Sequence, residues 1–478
     1  MKLKILSLAL TAVAMLASSE AGAKTMCRPA KFMVISDTHL LAPSLVDEGS
    51  AAARTMAQND MKLPLASLDI LDAMLDSVRR TAPDALLIAG DLTFNGERES
   101  HELLAARLAA LQRDGIAVRV IPGNHDINNP YAKAFRADGT KAVPTIDADE
   151  FAALYAHCGY DGTTSRDKAS LSYATELVPG IVLLAIDSNR YGENRSDSVT
   201  VYRNGGHVKS ETLEWLRKQI HAAKGKRVIA MMHHHLLEHI DGEQRILPNY
   251  IVDNSDEVIA ALEGVPVVFT GHLHITDAVT HRGIVDVTTG STCTYPFPLR
   301  TATVDSSGTL TIATSFLADS GDRAWTEQGR RQVTTGATAV AKRMADKMWS
   351  RIDGLRQRMA PMLMMLGVDI GKLPMDASQL TTLIATHMSE PLTQSLLTVT
   401  RGGEDPQQGE AIVEAMREAM TTMLADIVGE GGAELLVEAL MPRLEPTMRS
   451  ALLDLNNVDT PDESHTPDHR LTIPEQNQ

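Results

Sequence analysis

The sequence predicts an α/β protein, a layered sheet domain flanked by helices, with an additional C-terminal all-α region. Three observations carry this. From Lys31 to about Phe316, short apolar runs alternate with amphipathic segments of helical period. Beyond His281 the pattern turns to short β runs alone, which points to a mixed sheet or a two-sheet sandwich rather than a purely parallel sheet. After about Asp319, apolar residues recur at steps of three and four over long stretches.

The first residues read as a signal peptide, 1–23. Lys2 and Lys4 form a basic start, Ile5 to Leu16 an apolar core, and Ala21-Gly22-Ala23 a small-residue cleavage pattern. The apolar core is shorter than the roughly 17–25 residues that span a bilayer. The chain is therefore expected to be exported, periplasmic or secreted, with no transmembrane segment in the mature form. Lys2, Lys4 and Glu20 leave with the signal, taking the net charge from −16 to about −17. A nucleic-acid grip is not expected from such a chain, because it depends on Lys and Arg neutralising phosphates. Three cysteines, Cys27, Cys158 and Cys293, leave at least one unpaired within the chain, and their spacing matches no zinc pair.

Phe32 to Ser36 is the first expected strand. A helix over Leu65 to Arg80 follows, with Leu68, Leu71, Leu75 and Val78 on one face. Ala85 to Ala89 is a strand, Glu97 to Arg113 a helix, and Val118 to Ile121 a strand stopped by Pro122-Gly123. Later strands are Ile181 to Ile186, Val228 to Met232 and Val265 to Phe269, separated by helices at Glu211 to Ala223 and Asp256 to Glu263. The β runs Gly283 to Thr289, Thr301 to Val304 and Thr309 to Thr314 complete a first domain, 28–318. A helical domain, 319–455, contains the stripe Met344, Met348, Ile352, Leu355, Met359, Met362, Leu366 and three further helices. Its Met- and Leu-rich faces suit a bundle core first, with a surface for self-association or docking as the alternative. The polar residues 456–478 are expected to be a disordered tail.

Five short motifs close these apolar runs: Asp37-Thr38-His39, Gly90-Asp91, Gly123-Asn124-His125-Asp126, His233 and Gly271-His272-Leu273-His274. Ligands gather at the carboxyl ends of strands in sheets of this kind. Carboxylate, amide and imidazole donors together suit a pair of divalent cations. Asp37 and His39 stand at alternate positions, as do His272 and His274, so each pair can point one way. The donors divide into two plausible shells, Asp37, His39 and His274 for one ion and Asn124, His233 and His272 for the other, with Asp91 shared. His125 is left over as a general acid or a transition-state donor. Asp126 is expected to orient His125 or cap the following turn. Each motif alone is compatible with a turn; the information lies in their order and their position after strands.

The set resembles the calcineurin-like metallophosphoesterase family, whose pattern is Asp-x-His, Gly-Asp, Gly-Asn-His, a lone His and Gly-His-x-His. The resemblance covers about residues 31 to 315. It implies a two-sheet β-sandwich flanked by helices and a dinuclear site in which a metal-bridging hydroxide attacks a phosphate ester. Ser36-Asp37-Thr38-His39 and Gly90-Asp91-Leu92-Thr93 look most like bacterial phosphohydrolases of the cyclic-nucleotide phosphodiesterase type. The purple acid phosphatase branch places a Tyr ligand where this chain has Phe94, and it lacks a His at the place of His39, so a tyrosinate-bound ferric site is not expected. The lone His is ambiguous among His233, His234 and His235, with His233 favoured as the first residue past its apolar run.

The expected activity is phosphodiester hydrolysis, cyclic nucleotides included, of small phosphate-ester substrates. The alternatives are a broad phosphomonoesterase or nucleotidase, a phosphoprotein phosphatase, and a non-catalytic metal-binding scaffold. The expected cofactors are two divalent or mixed-valence transition metal ions, Mn, Fe, Zn, Co or Ni. Asn95, Asp187, Asn189, Arg190 and Tyr295 are candidates for substrate contact, because they follow strand ends or lie near the motifs.

Overall fold

The computed structural model describes residues 28–58, 61–196, 200–321, 323–365, 374, 376–402, 405–453 and 469–476. The expected signal segment 1–23, Cys27 and the start of the expected tail lie outside them, as do the side chains of the Met344 to Leu366 stripe. In chain order the strands are β1 (Ala30–Ile35), β2 (Ala85–Ala89), β3 (Ala117–Ile121), β4 (Lys133–Arg136), β5 (Gly139–Ala142), β6 (Ser165–Arg166), β7 (Tyr173–Val178), β8 (Ile181–Ile186), β9 (Arg227–Met232), β10 (Val267–Thr270), β11 (Asp277–His281), β12 (Ile284–Thr288), β13 (Pro298–Val304), β14 (Thr309–Phe316) and β15 (His469–Thr472).

They form two mixed sheets and a small hairpin, β4-β5. One sheet runs β15-β14-β13-β1-β2-β3 and the other β11-β12-β10-β9-β8-β7-β6. Strands β1, β2 and β3 are mutually parallel, as are β8, β9, β10 and β12. The antiparallel strands lie toward the outer edges.

The side-chain period shows why the central strands read as unbroken apolar runs. On β8, Ile181, Leu183 and Ala185 enter the core shared with the first sheet, alongside Ile229, Met231, Val267 and Phe269. The alternate residues Val182, Leu184 and Ile186 pack with Leu213, Leu216 and Val258, from helices Ser210–Ala222 and Ser255–Ala261. Both faces are covered, so neither can be polar. The first sheet is covered in the same way by helices Ser67–Thr81 and Arg98–Arg113, through Ile70, Met74, Val78, Leu104 and Leu108. The expected two-sheet architecture is therefore observed, with helices on the outer faces.

Four helices, Ala324–Met365, Ala377–Val399, Pro406–Val428 and Glu430–Leu453, make the C-terminal helical region. Leu380, Ile384, Ile412, Val413 and Leu452 pack against Ala337, Ala341 and Ala345 of the long helix. Trp325 meets Phe297 edge to face at 4.7 Å, and Arg401 pairs with Asp319 at 2.8 Å, seating this region on the sandwich.

The tail departs from expectation. Residues His469–Thr472 form β15, which pairs antiparallel with β14, and Ile473 is fully buried. The backbone N–H of Gln476 donates to Lys226 O, and Arg227 pairs with Glu475. A short alternating run, Leu471 and Ile473 inward, covers the apolar edge that β14 would otherwise expose. The helical region is thus inserted between two neighbouring strands of one sheet. A chain ending near Asp319 would lose β15 with it.

Candidate metal centre

Strands β1, β2, β3, β9 and β10 end at one edge of the sandwich, and each is followed by one of the five motifs. The chain does not simply continue in extended form there. Asp37, His39, Asp91, His272 and His274 have φ of 53°, 40°, 47°, 70° and 61°. Among the described residues ten non-glycine residues have positive φ, and half of them are these. Such conformations cost on the order of 1–3 kcal/mol each and survive only where the surroundings enforce them. Strand alternation is therefore not what aligns Asp37 with His39. Both sit in a curled loop whose N–H groups bond to Gly90 O and Asp91 O at 3.0 Å each. Two glycines are fixed by close approach: a Cβ on Gly123 would collide with the Asp91 backbone and carboxylate, and one on Gly271 with Ser36 Oγ and Asp37 Oδ2.

The donors converge in two groups. His39 Nε2 and His274 Nε2 are 3.2 Å apart, and Asp37 Oδ1 is 3.2 Å from the latter and 3.8 Å from the former. Asn124 Oδ1 is 3.0 Å from His233 Nε2, and Asp91, His233 and His272 form a second cluster of metal-ligating type. Asp91 stands between them. Its Oδ2 is 3.6 Å from His39 Nε2, and its Oδ1 is 3.4 Å from His233 Nε2. Asp37 Oδ1 and His272 Nε2 are buried without a hydrogen-bond partner. Buried polar atoms are costly to leave unsatisfied. This convergent N/O set fits a cation or two.

Supporting contacts fix the orientation of these groups. His233 Nδ1 bonds Ala89 O at 2.7 Å, turning Nε2 into the site. Asp37 Oδ2 accepts from His272 N and Ser36 Oγ, leaving Oδ1 aimed inward. The Asn124 amide donates to Tyr202 Oη at 2.6 Å and Asn204 Oδ1 at 3.1 Å, so its oxygen faces His233. Tyr250 lies over the His272 ring at 4.6 Å. Tyr202, Asn204 and Tyr250 were not anticipated; they come from loops with no periodic signal.

Charge follows from burial and these neighbours. Burial, then the Lys62 ammonium, holds His39 well below its ordinary value. Burial pushes Asp91 up, but the charges of His233 and His125 outweigh it and hold the carboxyl well below its usual range. Burial pushes His233 down, and Asp91 and Asp37 reverse this, raising it to about 9.

The three consecutive histidines separate clearly. His233 joins Asp91 and Asn124, whereas His234 bonds Ser188 Oγ and Asn204 O, and His235 Nε2 is 2.5 Å from Glu243 Oε1. His125 places Nδ1 2.8 Å from Phe94 O and 3.0 Å from Asn95 Oδ1, so Nε2 faces the site, 3.9 Å from Asp91 Oδ2. Asp126 does not touch that ring. Its carboxylate accepts the backbone N–H groups of Leu92, Thr93 and Gly123, tying the β2 loop to the β3 loop. This corrects both roles expected for it, because its oxygens are spent on the loops that precede it.

Among the expected substrate contacts, Asn95 supports His125. Asn189 is buried, donating to Pro122 O and Asp187 Oδ1. Asp187 accepts from Leu171 N and Tyr191 Oη. Arg190 pairs with Glu193 and Asp253. The Tyr295 hydroxyl lies 3.3 Å from Arg330 and 3.5 Å from Arg401, at the junction with the helical region. Phe94 is buried against Phe135, at 6.4 Å, and carries no oxygen that could ligate a metal. Cys158 and Cys293 are both buried. Among the described residues, no helix is long and apolar enough to cross a membrane.

Residues 30–276 match the sequence model of the Calcineurin-like phosphoesterase family. The chain belongs to that family, and membership makes it a phosphoric ester hydrolase. It is similar to a probable glycerophosphodiester phosphodiesterase, GpdQ, from Arcobacter nitrofigilis, 23% identical over 239 residues, 48% of this chain and 72% of the relative. It is also similar to a 3′,5′-cyclic adenosine monophosphate phosphodiesterase, CpdA, from Vibrio vulnificus, 25% identical over 268 residues, 55% of this chain and 76% of the relative. Among solved structures, a dimetal phosphatase from Danio rerio aligns at TM-score 0.41 and 15% identity, covering 60% of this chain and 96% of that one.

Proposed function

We propose that the chain is an exported phosphodiesterase with a two-metal centre, cyclic nucleotides among its substrates. The observation that carries this is Asp91, whose two carboxylate oxygens face separate donor groups. In this reading Asp37, His39 and His274 hold one cation, Asn124, His233 and His272 the other, and Asp91 is shared. When bound, the pair supplies a water of lowered pKa and positive charge against the phosphoryl oxygens. The low-identity relatives named as phosphodiesterases support a diester over a monoester. The basic, apolar and small-residue pattern of residues 1–23 supports export.

His125 serves the leaving oxygen. Both neighbours of its Nδ1 are acceptors, so the Nδ1 proton is committed to them and Nε2 donates only from the imidazolium. Burial lowers its pKa in the free site, whereas a bound phosphate anion would favour the imidazolium.

The test is a substrate panel with and without chelator: bis-p-nitrophenyl phosphate, p-nitrophenyl phosphate and cyclic nucleotides. Chelator-sensitive turnover of the diesters is expected. Turnover of p-nitrophenyl phosphate alone would replace this reading with a phosphomonoesterase. No turnover of any ester would favour the non-catalytic scaffold.

A further inference from the structure

A series of aromatic rings leads out of the site on one side. His39 meets His125 edge to face at 4.9 Å, His125 meets Tyr202 at 5.9 Å, and Tyr202 meets Tyr131 at 5.5 Å. The last ring is 46% exposed. The series is built rather than incidental. Tyr202 is pinned by its hydroxyl to Asn124, and Tyr131 N donates to Asn129 Oδ1, whose amide donates back to His125 O. The backbone that presents Tyr131 is thus tied to the backbone that presents His125. Across the centre, Tyr250 lies against His272 and is not among the exposed large side chains.

We propose that Tyr131, backed by Tyr202, is a stacking subsite for a planar aromatic group carried by the alcohol that bears the leaving oxygen, so that the substrate class is a phosphodiester bearing a nucleobase or an aryl group. This rests on the reading that His125 faces the leaving oxygen. A leaving group beside His125 extends over Tyr202 toward Tyr131. A flat π system gains stacking and dispersion there, and an aliphatic alcohol such as glycerol has no ring to stack. Tyr131 touches no candidate metal ligand directly, so its removal alters selectivity and leaves the chemistry in place.

The experiment compares cyclic adenosine monophosphate with glycerophosphoglycerol in the full chain. Tyr131→Ala should raise KM for the cyclic nucleotide roughly tenfold or more, the scale of one base–aromatic contact. KM for the aliphatic diester and kcat for both should stay put, and Tyr131→Phe should restore the nucleotide KM. Equal effects on the two substrates, or none, would overturn the proposal. A second measurement does not need turnover: Tyr131→Trp fluorescence titrated with adenosine 5′-monophosphate and with glycerol 1-phosphate. Quenching by the nucleotide alone supports the stacking subsite even if neither diester is hydrolysed, an outcome that would sink the phosphodiesterase reading instead. Identical responses to the two would overturn the subsite even if both diesters are hydrolysed.

Discussion

The metal edge of the sandwich and the inserted helical region are built on opposite principles. At the edge, polar groups are buried, five proposed ligands are held in left-handed backbone, and neighbouring loops spend hydrogen bonds to keep them there. In the helical region the backbone is regular, yet Leu435, Leu436, Leu440 and Leu444 of the last helix are exposed and Pro442 and Pro446 interrupt its bonding. Among the described residues, half of the left-handed non-glycine positions lie at the proposed ligands, and four of the seven exposed large hydrophobic side chains lie on the last helix. The sandwich affords the strain because its strands are covered on both faces. The helical region, entering after β14 and leaving before β15, depends on the same sheet for both its anchors.

The contrast can be broken at its strongest point first. His125→Ala should lower kcat by about 10²–10⁴-fold with metal content unchanged, as expected for a lost proton donor. A fall in bound metal of the same size would instead make His125 a ligand. Next, Ile473→Ala should cost roughly 2–5 kcal/mol in a denaturant titration, because the side chain is fully buried at the closing strand. Leu435→Ala, at a residue 70% exposed, should cost no more than about 0.5 kcal/mol. Equal costs would mean that β15 does not close the sheet as described.

A smaller effect concerns pH. Burial pushes His239 down, but its hydrogen bond to the Asp277 carboxylate at 2.8 Å and the Asp286 carboxylate 3.7 Å away outweigh it and raise it to about 10. Its folded value lies above the unfolded value of about 6.5. The pairing therefore stabilises fully below about pH 6.5 and is lost progressively as pH rises toward 10. Urea midpoints across that window should fall in the wild type and fall less steeply in His239→Gln. Parallel slopes would remove His239 from the account.

The strands that carry the five motifs were legible because each motif ends a largely apolar run, the mark of a strand covered on both sides, with Arg119 of β3 as the exception; β4, β5, β6, β7 and β11 were not read from the sequence. What aligns Asp37 with His39 was not legible, since left-handed φ at two non-glycine residues is imposed by the Gly90 to Leu92 loop from elsewhere in the chain. Tyr202, Asn204 and Tyr131 were invisible for the same reason: each is a single loop residue whose role depends on a distant neighbour. β15 was hidden in a polar tail because its four residues gain stability only from pairing with β14. The long helix begins at Ala324, ahead of the stripe that starts at Met344, and its first turns are buried through Trp325, Val333 and Ala337.

The central claim is that Asp91 joins two separate donor groups. Metal stoichiometry by elemental analysis, on protein purified without added metal, tests it most directly. The account predicts about two ions per chain in the wild type, about one in His274→Ala and in His272→Ala, and fewer than either in Asp91→Ala. Undiminished occupancy in Asp91→Ala, or equal loss of both ions from either single histidine variant, would contradict it.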